Sequence, residues 1–164
     1  QVLYSEAEVG MPKAIQAKKR LEALNHDVQI NAYPTRLTKE NADEIIRTYD
    51  IIIDGCDNFA TRYLINDICV KWGKVYVYGA IRAFEGQVSV FNYQGARLPP
   101  LFPDETEMLS MPHPPKGVLG VTPGIIGCAE AAEVLKIIGE YGEVLSGKLW
   151  TINVKTMETH LISF

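Results

Sequence analysis

The stretch Ile51-Ile52-Ile53-Asp54-Gly55-Cys56-Asp57-Asn58-Phe59-Ala60-Thr61-Arg62-Tyr63-Leu64-Ile65-Asn66 decides how this chain is read. A short, continuously apolar run predicts a strand, and the polar turn behind it leads at once into a helix. In an open parallel sheet, ligands bind beyond the carboxyl ends of the strands, beside the amino ends of the helices that follow. Asp57 and Asn58 fall at that edge. Asp57 offers a hard oxygen of the kind that Mg²⁺ takes when it bridges a protein carboxylate to substrate phosphates. Both residue types also cap helices, so the pattern is compatible with a purely structural role. Arg62 lies one helical turn beyond Asn58, placed either to reach the same edge or to pair with Asp67 along the helix.

Outward from this point, helices and strands alternate. Residues 11–24 predict a helix, with Pro12 in its first turn and Ala14, Ala17, Leu21 and Leu24 on one face. The alternation of Val28-Gln29-Ile30-Asn31-Ala32 predicts a strand. Thr38 is placed to cap a short helix over 39–48, whose inward face holds Ala42, Ile45 and Ile46. The strand at 50–54 and a helix over 58–72 follow. The runs 75–81 and 86–92 read as strands joined too closely for a crossover helix, which makes them antiparallel. The stretch from Tyr93 to Gly120 contains Pro99, Pro100, Pro103, Pro112, Pro114 and Pro115 and has no regular period, so it reads as a long loop. Thr122-Pro123 opens an apolar helix to Ile138, closed by Gly139, with a core or dimer face of Ile125, Ile126, Ala129, Ala132, Leu135 and Ile138. Two further strands are expected at 148–154 and 158–163. With no internal repeat and no linker, residues 1–164 read as one domain of the α/β class.

Composition excludes several classes of function. Against 20 acidic residues stand 16 Lys and Arg, a formal net charge of −4, with no basic stripe of the kind that follows a nucleic-acid backbone. No apolar run approaches the roughly 20 residues that span a bilayer. Cys56, Cys69 and Cys128 are scattered within apolar segments, which predicts reduced, buried thiols in a cytoplasmic protein. Cys56 is the one near the proposed site, and burial favours an inert thiol there.

The run DGCDNFATRYLIND at 54–67, followed by KWGKVYVYGAIRAFEGQVSVF at 71–91, resembles the ThiF/MoeB/HesA family, bacterial relatives of ubiquitin-activating enzymes. The similarity continues through QVLYSEAEVGMPKAIQAKKRLEALN at the start, GVLGVTPGIIGCAEAAEVLKIIG from 117, and SGKLWTINVKTM from 146. Several blocks in the same order make it far more specific than one glycine motif. The resemblance implies a Rossmann-like, mostly parallel sheet with antiparallel strands toward the C-terminal half. It implies ATP-dependent adenylation of the C-terminal glycine of a small ubiquitin-like sulfur-carrier protein of the ThiS/MoaD type, serving thiamine or molybdopterin synthesis. Asp57 matches the family's Mg²⁺-binding aspartate, Asn58 follows it as in the family, and Lys13 matches the phosphate-side lysine. Family membership also implies a homodimer.

The departures are specific. The chain opens at Gln1, and the glycine-rich turn that cradles the nucleotide is expected upstream of it, so this segment alone is expected to be inactive. Many members hold a structural zinc with two Cys-x-x-Cys pairs. The first pair would fall within QGARLPPLFP at 94–103, which has no cysteine, so no structural zinc is expected. His113 stands about where many members carry a loop cysteine. A dinucleotide-dependent dehydrogenase would need a glycine fingerprint absent from this chain. The other reading is a partner-binding module of the same fold that performs no chemistry.

Overall fold

The computed structural model describes residues 3–94 and 117–164. Most of the predicted proline-rich loop, His113 and nearly all of the 94–103 segment lie outside the described residues. The described chain falls into two compact units, Gln1–Leu37 and Thr38–Phe164.

In the first unit, a single 3-10 turn at Glu6–Glu8 is closed by the Glu8 carboxylate, which accepts from the Ser5 N–H at 2.7 Å and its hydroxyl at 2.8 Å. Helix α1, Lys13–Leu24, follows Pro12, whose carbonyl takes the Ile15 and Gln16 N–H groups. The predicted helix is therefore present, shortened by its proline start. The predicted strand at 28–32 is not. An alternating pattern supplies side-chain faces but no ladder, and among its described residues this unit has no strand to answer its backbone groups.

The second unit is built on one five-stranded sheet in the order β1-β2-β3-β4-β5: Ile51–Ile53, Val75–Arg82, Glu85–Phe91, Lys148–Asn153 and Glu158–Ser163. The β1–β2 pair is parallel, with Ile51 opposite Val75 and Ile53 opposite Val77. The remaining pairs are antiparallel, running from Tyr76 opposite Phe91 to Arg82 opposite Glu85, and on through β4 to β5. The α/β class and the antiparallel C-terminal half stand as expected. The parallel part within the described residues is one pair, so this sheet is mostly antiparallel.

Helix α2, Ala42–Ile46, buries Ala42 and Ile46 as its pattern requires, but it begins later than predicted. Thr38 does not cap it. Instead the Asn41 side chain accepts from the Thr38 N–H at 2.8 Å, and the Thr38 carbonyl takes the Ala42 N–H. Helix α3, Phe59–Trp72, stops at Gly73, whose φ of 62° is the left-handed closure that glycine adopts without strain.

Helix α4, Val121–Gly139, packs on β2 and β3 with only part of the predicted face, Ile125, Ile126 and Ala129. Its buried residues are Thr122, Ile126, Glu130 and Glu133, whereas Leu135 and Ile138 are 58% and 67% exposed. The outer part of that stripe, Ala132, Leu135 and Ile138, is left exposed because two glycines in the sheet and one donor outside the helix, the Leu145 N–H, favour another rotation. A Cβ on Gly86 would overlap Ile126, and a Cβ on Gly79 would overlap the Glu130 carboxyl, so this face fits against bare backbone. Glu133 accepts the Leu145 N–H at 2.8 Å and pairs with Lys136. On this side the core is Val88, Ile126 and Ile152. Alternation puts Tyr76 and Tyr78 on the other face, where their rings meet Phe91 at 6.2 and 5.7 Å between centroids.

Candidate active site

The β1 ladder ends at Asp54. The Asp54 N–H donates to the Val77 carbonyl at 2.9 Å, and the chain then leaves the sheet. The Asp54 carboxylate, 4% exposed as a residue, is answered on every side. Its Oδ1 accepts from the Cys56 N–H at 2.9 Å and the Cys56 thiol at 2.7 Å. Its Oδ2 accepts from Arg62 Nε and the Tyr76 hydroxyl, both at 2.8 Å. A buried carboxylate is tolerated when it is paired and hydrogen-bonded in this way.

Arg62 therefore turns inward and pairs with Asp54, not with Asp67. Its Nη2 also donates to the carbonyls of Cys56 at 3.0 Å and Gly79 at 3.1 Å. The guanidinium lies 5.8 Å from the Phe59 ring centroid and 5.5 Å from that of Tyr78. Burial opposes its charge, but Asp54, together with Tyr78 and Cys56, outweighs it and holds its pKa above the ordinary value. For Cys56, burial and then the Asp54 charge push the thiol up to about 12. That thiol is a hydrogen-bond donor to Asp54, not a nucleophile at neutral pH.

Beyond this buried cluster, the turn presents Asp57 and Asn58. Asn58 is a helix cap: its Oδ1 accepts the Thr61 N–H at 2.9 Å. Asp57 is exposed, and its Oδ1 accepts from the Asn58 amide at 3.2 Å. The two predicted residues are thus adjacent and differ in task, one closing the helix and one facing outward. Among the described residues, no three His, Cys, Asp or Glu side chains stand together as a metal cage. A single exposed carboxylate at the mouth of a helix does fit Mg²⁺, which keeps most of its shell for water and phosphate oxygens. Lys13 stands at the first position of α1 in the other unit, exposed, with its ammonium 5.8 Å from the Tyr4 ring centroid.

The sequence reading missed Asp54, Tyr76, Gly79 and Glu130. Glu130 is 6% exposed, its carboxyl lies against Gly79, and its Oε1 has no hydrogen-bond partner among the described residues. Burial first, and then the Asp54 charge, push it up to about 8, with Arg62 pulling the other way. A glutamate in the middle of an apolar helix was the available signal. A hollow of about 400 Å³ between Tyr93, Glu143, Ser146 and Lys148 lies at the opposite end of the strands from Asp57 and has no part in this arrangement.

The chain matches the ThiF family over residues 1–163. It is 47% identical over 159 residues to a probable molybdopterin-synthase adenylyltransferase of Pyropia yezoensis, covering 95% of this chain and 42% of that protein. It is also 47% identical over 156 residues to a sulfur carrier protein adenylyltransferase of Thermus thermophilus, covering 91% of this chain and 58% of that one. The SAMP-activating enzyme E1 of Haloferax volcanii is 40% identical over 150 residues, with 91% and 56% covered. The chain spans about half the length of these curated relatives. Among solved structures, E. coli MccB bound to a succinimide superposes over 99% of this chain and 51% of its own, with a TM-score of 0.80 at 20% identity, a likeness of fold. On the match across nearly its whole length and on these identities, the chain belongs to the ThiF family.

Proposed function

We propose that this chain is the C-terminal portion of a single adenylating domain, one that activates the C-terminal glycine of a ubiquitin-like sulfur-carrier protein with ATP. The observation that carries this reading is the turn after β1, where Asp57 faces outward beside an α3 start already closed by Asn58. The names of the relatives support adenylation of a sulfur carrier, and that of the Pyropia yezoensis protein refers to molybdopterin synthase. A ThiS/MoaD-type carrier is accordingly the partner to test first.

In this reading the carrier's terminal carboxylate oxygen forms a bond to the α-phosphorus of ATP, and the bond from that phosphorus to the pyrophosphate oxygen breaks. Products are the acyl adenylate and pyrophosphate. Such a transition state is stabilised by position and charge. Asp57 would hold Mg²⁺, which supplies positive charge to the triphosphate. Asn58 fixes the start of α3 and hence the direction of Asp57, and Lys13 serves the phosphate side. The cytoplasm is the setting proposed, and among the described residues no helix is long and apolar enough to cross a membrane. The assembly is a homodimer, to which the exposed Leu135 and Ile138 of α4 contribute apolar surface; sedimentation as a monomer at micromolar concentration would refute it.

ATP–pyrophosphate exchange by the full-length protein, with a candidate carrier, tests the reaction. Asp57→Ala is expected to abolish exchange, and Lys13→Ala to lower it by roughly 10²-fold, as removal of one preorganised charge contact does. Normal exchange in Asp57→Ala would overturn the assignment. Absence of exchange in the wild-type protein, with carrier binding retained, would identify a partner-binding module instead.

A further inference from the structure

The β1–β2 ladder is replaced at its end by one side chain. In a parallel pair, bonds recur every second residue, so after Asp54 N–H to Val77 the next donor would be Cys56 N–H and the next acceptor the Gly79 carbonyl. That bond is absent. The Cys56 N–H turns back to Asp54 Oδ1, and the Gly79 carbonyl accepts from Arg62 Nη2. The same Nη2 holds the Cys56 carbonyl, while Nε holds Asp54 Oδ2. One planar donor fork thus joins the end of β1, the turn and the middle of β2. Cys56 is the residue before Asp57, so the backbone that aims the Asp57 carboxylate is held from behind at its neighbouring carbonyl.

An arginine one turn into the helix at a nucleotide edge invites a different reading, as a phosphate ligand. Its surroundings oppose that. The Arg62 side chain is 15% exposed and that of Asp54 is fully buried, and the guanidinium is already engaged by the Asp54 carboxylate and the carbonyls of Cys56 and Gly79. Leaving for a phosphate would strand a buried carboxylate.

Resting on the metal role proposed for Asp57, we infer that Arg62 and Asp54 are a positioning pair that sets the β1–α3 turn so that Asp57 meets its cation, and that Arg62 does not bind phosphate. Groups standing behind a metal ligand in this way change metal affinity by roughly 10- to 100-fold when removed. Lysine cannot substitute, because a point donor on a flexible stem does not reproduce a planar fork with several donors in fixed directions.

The test uses the full-length protein with Arg62→Lys, which keeps the charge and folds most readily, and Asp54→Asn. Backbone hydrogen exchange at Gly55–Thr61 should quicken in Arg62→Lys, with α3 beyond Leu64 unchanged. The Mg²⁺ concentration for half-maximal pyrophosphate exchange should rise roughly 10- to 100-fold, whereas binding of ATP in EDTA should move by less than about twofold, because a group that makes no phosphate contact contributes nothing to metal-free affinity. Asp54→Asn should behave alike, and the double variant should be no worse than the worse single one. Unchanged hydrogen exchange at the turn would overturn the inference, and so would loss of ATP binding in EDTA as large as that in Mg²⁺. Should the wild-type protein show no pyrophosphate exchange, the proposed reaction fails, and hydrogen exchange at the turn still decides whether Arg62 holds it.

Discussion

Two buried carboxylates, Asp54 and Glu130, are accommodated in opposite ways. Asp54, on the Tyr76 face, keeps its charge company with Arg62 and three further donors. Glu130, on the α4 face, lies against Gly79 with one oxygen unanswered, and burial drives it toward the neutral form. Taking a carboxylate out of water costs several kcal/mol unless it is paired or loses its charge. Asp54 follows the first route and Glu130 the second. The lesson is that a fully satisfied ion can hold a turn in place, whereas a neutral buried acid makes stability depend on pH.

The largest effect is expected where the paired group is broken. Asp54→Ala removes the acceptor of four donors and leaves the Arg62 guanidinium buried without its carboxylate. Urea unfolding should show a loss of about 3–5 kcal/mol, as for other buried pairs cut on one side. A loss near zero would mean that Asp54 is solvated or replaceable, and the contrast with Glu130 would vanish.

Gly79→Ala comes next. Its methyl group would overlap the Glu130 carboxyl, so a cost of about 1–3 kcal/mol is expected from overpacking. Glu130→Ala in the same chain should return part of that loss by vacating the space. Strictly additive losses in the double variant would show that the two residues do not meet.

The third effect depends on pH and is the most diagnostic of charge. The folded protein holds the Glu130 proton up to about pH 8, whereas the unfolded chain releases it near 4.5. Between those values the folded state binds the extra proton, so this residue makes stability fall as pH rises through the window. Glu130→Gln keeps the shape and cannot ionise. Its melting temperature relative to wild type should climb from pH 5 to pH 8, by about 2–4 °C for each kcal/mol of relief. A constant difference across that range would show that Glu130 is ionised throughout.

Much of the second unit is legible from local signals. The apolar run at Ile51–Ile53, the Asn58 cap, the Gly73 stop and the tight antiparallel pair of β2 and β3 each follow from a few neighbouring residues. The candidate site was half legible. Asp57 and Asn58 stand out because they occupy the turn itself, whereas Asp54 reads as the last residue of a strand and Arg62 reads equally as reaching that edge or as pairing with Asp67. Glu130 is harder still, since the helix that carries it has a plausible apolar stripe on another side.

By itself, then, the sequence determined the α/β class, the order of elements from α2 to β5, and the place of Asp57 and Asn58 in the turn after β1, because periodicity and capping act within a few residues. Tertiary structure alone decided that Val28–Ala32 finds no ladder, that α4 buries Glu130 and Glu133 in place of Leu135 and Ile138, and that Arg62 serves Asp54 and Gly79. Each of those outcomes depends on a partner from another element: a strand to pair with, a bare glycine backbone to lie against, a carboxylate eight residues back and a carbonyl seventeen residues on. Such partners meet only when the sheet assembles, and it is their fit, rather than any local pattern, that sets which polar groups are buried.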